Sequence, residues 1–374
     1  MELVSLIARV LRLWFRFRTV PSPVVDPASV LVVKPCCLGD VLLTTPLVAA
    51  IRAGYPTAKI SYAVGTWSAP MVATNPHIDE TLLLPDRWSP GSLLATAQVF
   101  RDRRFDVVFV PDRSPTLTLL VWLAQIPQRV GLDSAGRGFA YTHPVPSTFG
   151  PTHEAQVYSS LAAAVKLPPP PKRLFFFPSP EAEARADQLV AADNDSSGPL
   201  VVLHPGGGQN PGMSLPRKRW LPERWAAVAD ALAAEGARIW LLGGPGDEAA
   251  VMAVAAHMQF KARTAVRRWD WAVLGAMLQR ADLFLGHDTG MMHLATAVDT
   301  PTVAVFGPSD PQMYGPYGSH TRYVWCPTPE SPCFYAGSAP AECPCAMQCM
   351  RNVAVADVLQ AAHALLAAKR MQGA

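Results

Sequence analysis

The chain of 374 residues has no long run of lysine or arginine, and its formal charge is only +3 with a pI near 8.5. A nucleic-acid surface needs clustered basic side chains. Nucleic acid is therefore not the expected partner, although a small basic patch for an anionic ligand remains open. No small-residue cleavage site follows the apolar N-terminal stretch, which argues against secretion. The seven cysteines are odd in number and contain no C-x₂-C pair. The usual zinc knuckle is missing, and the expectation is a reducing compartment. The pattern G-x-x-x-x-G-K-[ST] is missing too, so there is no P-loop. The one D-x-D, at 193–195, sits in a Ser/Gly-rich stretch before an apolar strand and reads as a turn.

What is present is apolar material: 50% hydrophobic residues against 16% charged ones. That supports a large core and, at this length, two domains. The stretch MELVSLIARVLRLWFRFR is amphipathic at the helical period. Leu3, Ile7, Val10, Leu11, Trp14 and Phe17 share one face, with Arg9, Arg12 and Arg16 opposite. It is too short and too arginine-rich to span a bilayer. It suits either an anionic leaflet, lying in the interface, or a face of its own domain.

From residue 29 the pattern becomes regular. SVLVVK, KISYAVG and FDVVFVP read as strands, with Ala-rich or Leu-rich helical stretches between them. KLPPPPKRLFFFPSP at 166–180 interrupts this rhythm, because four prolines in a row favour a stiff extended connector. Alternation then restarts with PLVVLHPGGG, ARIWLLGGPG, ADLFLGHDTG and TPTVAVFGPSDP. Apolar strands alternating with helices imply parallel sheets covered on both faces. The expected fold is α/β with two Rossmann-like, doubly wound domains facing a cleft, where ligands sit at the carboxyl ends of the strands.

Four loops follow predicted strands. In KPCCLGDVLLTTP, Gly39 is expected to turn the chain and bring Asp40 to the sheet edge, where a carboxylate can take a proton from a hydroxyl. Asp40 or Thr45 can equally cap the helix that contains Pro46. In LHPGGGQNPGMSLPRKRW, the glycines expose backbone amides to an anion, and Lys218 and Arg219 follow on the same connection. In LLGGPGDEAAV, Asp247 and Glu248 open a helix, where an acid can hold ribose hydroxyls or simply favour the helix dipole. In HDTGMMHLATA, Asp288 and Thr289 are good caps and Gly290 removes side-chain bulk. The helix start near Met291 offers its amides to phosphate, with His293 in the first turn.

LGDVLLTTPLVAAIRAGYP, LHPGG with KRWLPERWAAVADAL, GGPGDE, and DTGMMHLATAVDTPTVAVFGPSDP occur in that order. Together they resemble glycosyltransferase family 9, the lipopolysaccharide heptosyltransferases of Gram-negative bacteria, over about residues 29 to 369. The resemblance implies a GT-B fold and a nucleotide-sugar donor, normally ADP-heptose, with no metal and no cofactor. It maps the general base to Asp40 and the lysine on the donor phosphates to Lys218. The nucleoside contact maps to Glu248 or Asp247. Asp288, Thr289, Gly290, Met291 and His293 fall on the residues that hold sugar and diphosphate, with Gly206, Gly207 and Arg219 beside them. Gly39, Asp40 and Thr44 fall on the acceptor side.

The implied organisation is an amphipathic helix over 1–24, an acceptor domain over 25–178, a donor domain over 179–350 and a closing helix over 351–374. The implied partners are a lipid-linked or core oligosaccharide acceptor and the anionic inner face of the cytoplasmic membrane, with the protein cytoplasmic and peripheral. Cys36 and Cys37 stand where the family has small polar residues, and they would bring oxidisable thiols to the acceptor pocket. The C-terminal cysteines are expected to be buried structural thiols, with a metal as the alternative. Two other readings share the architecture: a nucleotide-sugar epimerase or hydrolase, and a non-catalytic, membrane-associated binder of nucleotide-sugars.

Overall fold

The computed structural model describes residues 26–148, 150–193, 198–210, 213–334, 338 and 340–373. The expected amphipathic helix over 1–24 lies outside these residues. Contacts divide the chain into two compact units, with the boundary between Lys172 and Arg173.

In the first unit, the β-branched run Ser29–Val33 forms β1, and Val30 to Val33 are completely buried. Helices α1 (Leu38–Leu43) and α2 (Thr45–Gly54) follow, then β2 (Lys59–Gly65) and β3 (Glu80–Leu84). Next come α3 (Pro90–Asp102), β4 (Val107–Val110), α4 (Pro115–Leu123), β5 (Gln128–Asp133), β6 (His143–Pro146) and α5 (Glu154–Ala164). The six strands pair in parallel in the order β3-β2-β1-β4-β5-β6. This is the doubly wound order, with its switch point between β1 and β4. A core around Leu31, Val33, Phe100, Val108 and Leu120 covers one face. Strands buried on both sides need apolar residues at every position, which is why β1 and β4 do not alternate.

The second unit opens with residues that follow the proline run. Arg173 pairs with Asp299 at 2.7 Å, and the Phe176 amide donates to Ala297. The ring of Phe176 fills the space that a side chain at Gly275 would need. Helix α6 (Pro180–Ala191) is capped by Ser179, whose hydroxyl accepts from the Ala182 amide. Then come β7 (Leu200–Leu203), the short hairpin β8 (Gln209–Asn210) and β9 (Met213–Ser214), α7 (Pro222–Ala234) and β10 (Arg238–Gly243). Helix α8 (Glu248–His257), β11 (Arg263–Val266), α9 (Trp271–Arg280), β12 (Leu283–His287) and α10 (Gly290–Ala297) follow. The last elements are β13 (Thr302–Phe306), α11 (Pro311–Tyr314), β14 (Thr321–Trp325), α12 (Gln348–Arg351) and α13 (Val355–Gly373).

The strand order β11-β10-β7-β12-β13-β14 repeats that of the first unit, with the switch point between β7 and β12. Each unit is thus Rossmann-like, as GT-B domains are. The core under this sheet gathers Val201, Leu203, Trp225, Leu241, Leu285 and Val303, and α13 packs into it through Val358, Ala362 and Leu366.

Two local expectations change. Gly39 does not make a turn; it is the second residue of α1, and Cys37 occupies the N-cap position. Cys36 and Cys37 are joined to each other as a disulfide, so they present no free thiols beside Asp40.

Candidate functional site

Polar groups gather at the carboxyl end of β1 in the first unit. Lys34, the residue after β1, is 5% exposed. Its Nζ donates to Asp112 Oδ2 at 3.0 Å and to the Tyr158 hydroxyl at 3.3 Å, and lies 3.8 Å from Asp40 Oδ1. Burial alone would drive this ammonium toward neutrality, but Asp112, Asp40 and Glu154 hold its pKa above the ordinary lysine range. Asp40 sits in the first turn of α1 and caps nothing. Its Oδ1 accepts from the Tyr158 hydroxyl at 2.7 Å, and its side chain is 36% exposed. Burial, then the neighbouring Asp40, pushes the Tyr158 hydroxyl well above its usual range, so it stays protonated. Behind them Arg113 grips the buried Glu154 with two bonds of 2.9 and 3.0 Å. The Thr44 hydroxyl is fully buried and shared between Val41 O and the Tyr62 hydroxyl, both at 2.7 Å. Thr44 therefore braces the α1–α2 junction from inside.

The second unit builds its cluster at the β7/β12 switch point. Gly207 and Gly208 have φ of +94° and +77°, the region glycine alone enters at no steric cost. A Cβ on Gly207 would lie 2.2 Å from the Thr289 methyl, and one on Gly206 would lie 2.2 Å from the Asp247 carboxyl carbon. The glycine run is thus dictated by close approach as well as by its turn.

Asp247 is the hub of this turn. Its Oδ1 accepts from the Gly207 amide at 2.8 Å and from Arg219 at 3.2 Å. Its Oδ2 accepts from the Gly244 amide at 3.0 Å and faces His204 Nε2 at 3.1 Å. Burial would raise its pKa, but His204 and the Gly207 and Gly244 amides outweigh burial and hold it far below the carboxylate range. Both oxygens are already committed, whereas Glu248, the first residue of α8, is exposed. Arg219 also donates to Gly207 O at 2.9 Å, so it ties the loop as well as carrying charge.

Lys218 and Asp288, seventy positions apart in sequence, form a buried pair with Nζ 2.5 Å from Oδ2. The ammonium also stands 4.2 Å above the centre of the Phe334 ring. Burial would raise the Asp288 pKa, but Lys218 brings it below the usual value. Asp288 was expected to cap α10 and does not, because its carboxylate is spent on Lys218. Thr289 occupies the N-cap position but makes no side-chain cap. Its hydroxyl is buried without a hydrogen-bond partner among the described residues. The N–H groups of Gly290 and Met291 precede the first amide bonded back to Thr289 O, that of Met292, and so lack an intrahelical acceptor. Met291 and His293 are both buried in this turn.

The sequence reading passed over two histidines, each ending an apolar strand. His204 Nε2 holds Asp247, and its Nδ1 is buried with no partner among the described residues. His287 is fully buried, and its Nε2 accepts from the Trp220 amide at 2.7 Å and from Trp225 Nε1 at 3.0 Å. The proton therefore sits on Nδ1, which donates to Gly206 O at 3.2 Å. Burial, then the neighbouring His204, lowers its pKa to about 3. Between that value and the 6.5 of an exposed imidazole, only the unfolded chain takes up this proton. Stability therefore falls as pH drops through this window. Between about pH 7.5 and pH 5 this one group is expected to cost about 2 kcal/mol. Urea unfolding at both pH values measures it. His287→Gln is expected to be less stable at the higher pH but to lose less on acidification, and equal losses would refute the assignment.

The C-terminal thiols lie in the second core. Cys345 and Cys349 are buried with Sγ atoms 3.6 Å apart, and Cys343 Sγ is 3.9 Å from Cys345. Burial would raise the Cys345 pKa, but the amide and thiol of Cys349 bring it down to about 7, while burial pushes Cys349 up to about 12. No group of three His, Cys, Asp or Glu side chains suited to a metal ion occurs among the described residues.

Two Rossmann-like units in one chain, each with polar groups gathered at the switch point of its sheet, have the architecture of the GT-B class. The family model for glycosyltransferase family 9 (heptosyltransferase) matches residues 93–342, and the chain belongs to that family. It is 26% identical over 305 residues to lipopolysaccharide heptosyltransferase 3 of Escherichia coli, covering 77% of this chain and 86% of that protein. A solved family 9 glycosyl transferase from Veillonella parvula superposes with a TM-score of 0.79 at 24% identity, covering 92% of this chain and 99% of the other. The Escherichia coli ADP-heptose lps heptosyltransferase II superposes with a TM-score of 0.73 at 21% identity, covering 91% and 99%. The protein is thus a glycosyltransferase.

Proposed function

We propose that this glycosyltransferase moves heptose from ADP-heptose onto a lipopolysaccharide core or related lipid-linked glycan, inverting the anomeric carbon and needing no metal. The observation that carries the donor side is the Lys218–Asp288 pair at the start of α10, beside the glycine turn. A diphosphate needs a cation and convergent amides, and both are present there. The choice of donor follows the Escherichia coli ADP-heptose lps heptosyltransferase II, whose fold this chain shares.

The reaction is one displacement. The acceptor oxygen bonds to the anomeric carbon as its proton passes to Asp40. The bond from that carbon to the diphosphate oxygen breaks, and ADP leaves with the electron pair. Charge grows on the leaving group as that bond breaks. Lys218 and the amides of Gly290 and Met291 act most strongly at that point, which is where stabilisation speeds turnover. Glu248 is the acid for the ribose, and Asp247 shapes the turn that carries Gly206 and Gly207. Gly39 and Thr44 set the position of α1 on the acceptor side, and His293 lies beside the donor sugar.

The acceptor places the enzyme on the anionic cytoplasmic face of the inner membrane. No helix among the described residues is long and apolar enough to cross a membrane. Thermal shift with ADP-, UDP-, GDP- and dTDP-sugars tests the donor. ADP-heptose is expected to raise Tm with and without a chelator, and failure of every ADP-sugar to do so would sink the reading. Incubation with ADP-heptose alone separates transfer from hydrolysis or epimerisation, since only the latter two proceed without acceptor.

A further inference from the structure

We propose that Tyr158 and Lys34 are positioning residues for Asp40, engaging Oδ1 so that the carboxylate is held turned with Oδ2 toward the incoming hydroxyl. This inference rests on the reading of Asp40 as the base. A carboxylate on a short helix can rotate, and both oxygens are equivalent until something distinguishes them. Here Oδ1 accepts from Tyr158 and is the oxygen nearest Lys34, while Oδ2 makes neither contact.

The three groups form a directed chain. Lys34 Nζ donates to the Tyr158 oxygen at 3.3 Å, and the Tyr158 hydroxyl donates to Asp40 at 2.7 Å. The ammonium is also 4.6 Å from the centre of the Tyr158 ring. A cation at the head of such a chain polarises the hydroxyl and strengthens its bond to the carboxylate. Because Tyr158 is buried and its hydroxyl stays protonated, it serves Asp40 as a donor.

Each link is anchored on a different element. Lys34 follows β1, Asp40 lies in α1 and Tyr158 in α5. Arg113 fixes the first turn of α5 through Glu154, and Asp112 holds Lys34 from the loop after β4. Among the described residues, the charged and titratable groups facing this cluster are Lys34, Arg113, Asp112, Glu154, Tyr62 and Tyr158. Lys34 stands between Asp40 and Asp112, and Arg113 is engaged with Glu154. Removing Lys34 leaves two carboxylates facing one another with no cation between them. Protonation of one is then favoured, and a protonated Asp40 takes no proton from the acceptor.

The test is the pH dependence of transfer from ADP-heptose to a heptose-deficient lipopolysaccharide core, using the full chain. Tyr158→Phe removes one oxygen atom and keeps the ring. It is expected to lower kcat about tenfold, leave the donor KM unchanged, and move the acid limb of kcat upward by about one pH unit. Lys34→Met is expected to move that limb further in the same direction, and Lys34→Arg to restore it in part. A merely structural tyrosine would lower stability without moving the limb. Tyr158→Phe with the wild-type acid limb and kcat overturns the inference, even if Lys34→Met fails to fold. Asp40→Asn separates the two levels. Loss of its transfer beside a wild-type Tyr158→Phe refutes only this inference, whereas full transfer by Asp40→Asn refutes the base itself.

Discussion

Asp40→Asn is expected to transfer heptose about a thousandfold more slowly than the parent chain, within the range that general-base catalysis supplies. Its affinity for ADP-heptose is expected to stay within about a factor of two, because the donor groups proposed here belong to the second unit. The substitution keeps the shape of the side chain, so Tyr158 can still donate to the remaining carbonyl oxygen. Lys34 keeps its bond to Asp112 at 3.0 Å, so no buried charge is orphaned. The loss is therefore chemical, and Tm is expected to change little. Single-turnover rates with saturating acceptor, set beside donor binding by calorimetry, measure both quantities. An asparagine enzyme that retains more than about a tenth of the parent rate would remove Asp40 from its role, since a base worth the name supplies more than that.

The strands that sequence alone made legible are those buried on both faces. β1, β2, β4, β7, β10, β12 and β13 are buried along nearly their whole length, and such runs between helical stretches point to parallel sheets. In the two large sheets, the strands without such a signal are β3, β5, β6, β11 and β14, and all but β5 are edge strands. β3 leaves Leu83 64% exposed, β14 begins with Thr321 and Arg322, and β6 is His-Pro-Val-Pro. Proline lacks the amide a central strand needs, yet an edge strand tolerates it, so β6 carried no recognisable signal. Strand order is a long-range property. It emerges only when β1 pairs with both β2 and β4, and β7 with both β10 and β12.

The candidate site divides in the same way. Gly206 and Gly207, Lys218, Asp247 and Asp288 were visible because each sits in a loop after a strand, where local chemistry is informative. Their partners were not visible. Asp288 looked like a helix cap because its neighbours in sequence are a threonine and a glycine. Its actual partner, Lys218, arrives from a loop seventy residues earlier. The partners of His204 and His287 are likewise distant in sequence. The two histidines hold the glycine turn from two sides, one through Asp247 and the other through Gly206 O. A histidine at or just after the end of an apolar strand, followed by Pro-Gly-Gly-Gly or Asp-Thr-Gly, is the signal that would have found them.

Lys218→Met is expected to reduce kcat by about a hundredfold or more, the loss seen when one charge-stabilising donor is taken from a transition state. Affinity for ADP is expected to fall as well, because the same ammonium meets the diphosphate before and after transfer. The variant also exposes a second consequence that a solvated lysine would not have. Asp288 is 11% exposed in its side chain, and without Lys218 its buried carboxylate loses its ion-pair partner. Breaking such a pair from one side costs about 3 to 5 kcal/mol. Stability and turnover can therefore be separated by a second change. In Lys218→Met/Asp288→Asn the uncompensated charge is gone, so much of the stability is expected to return, while turnover stays low because the cation is still missing. Urea unfolding of both single variants and the double variant gives the coupling, and steady-state transfer gives the rates. Recovery of activity together with stability in the double variant would show that Lys218 serves only to satisfy Asp288, and the donor site would then have to find its positive charge in Arg219 and the amides at the start of α10.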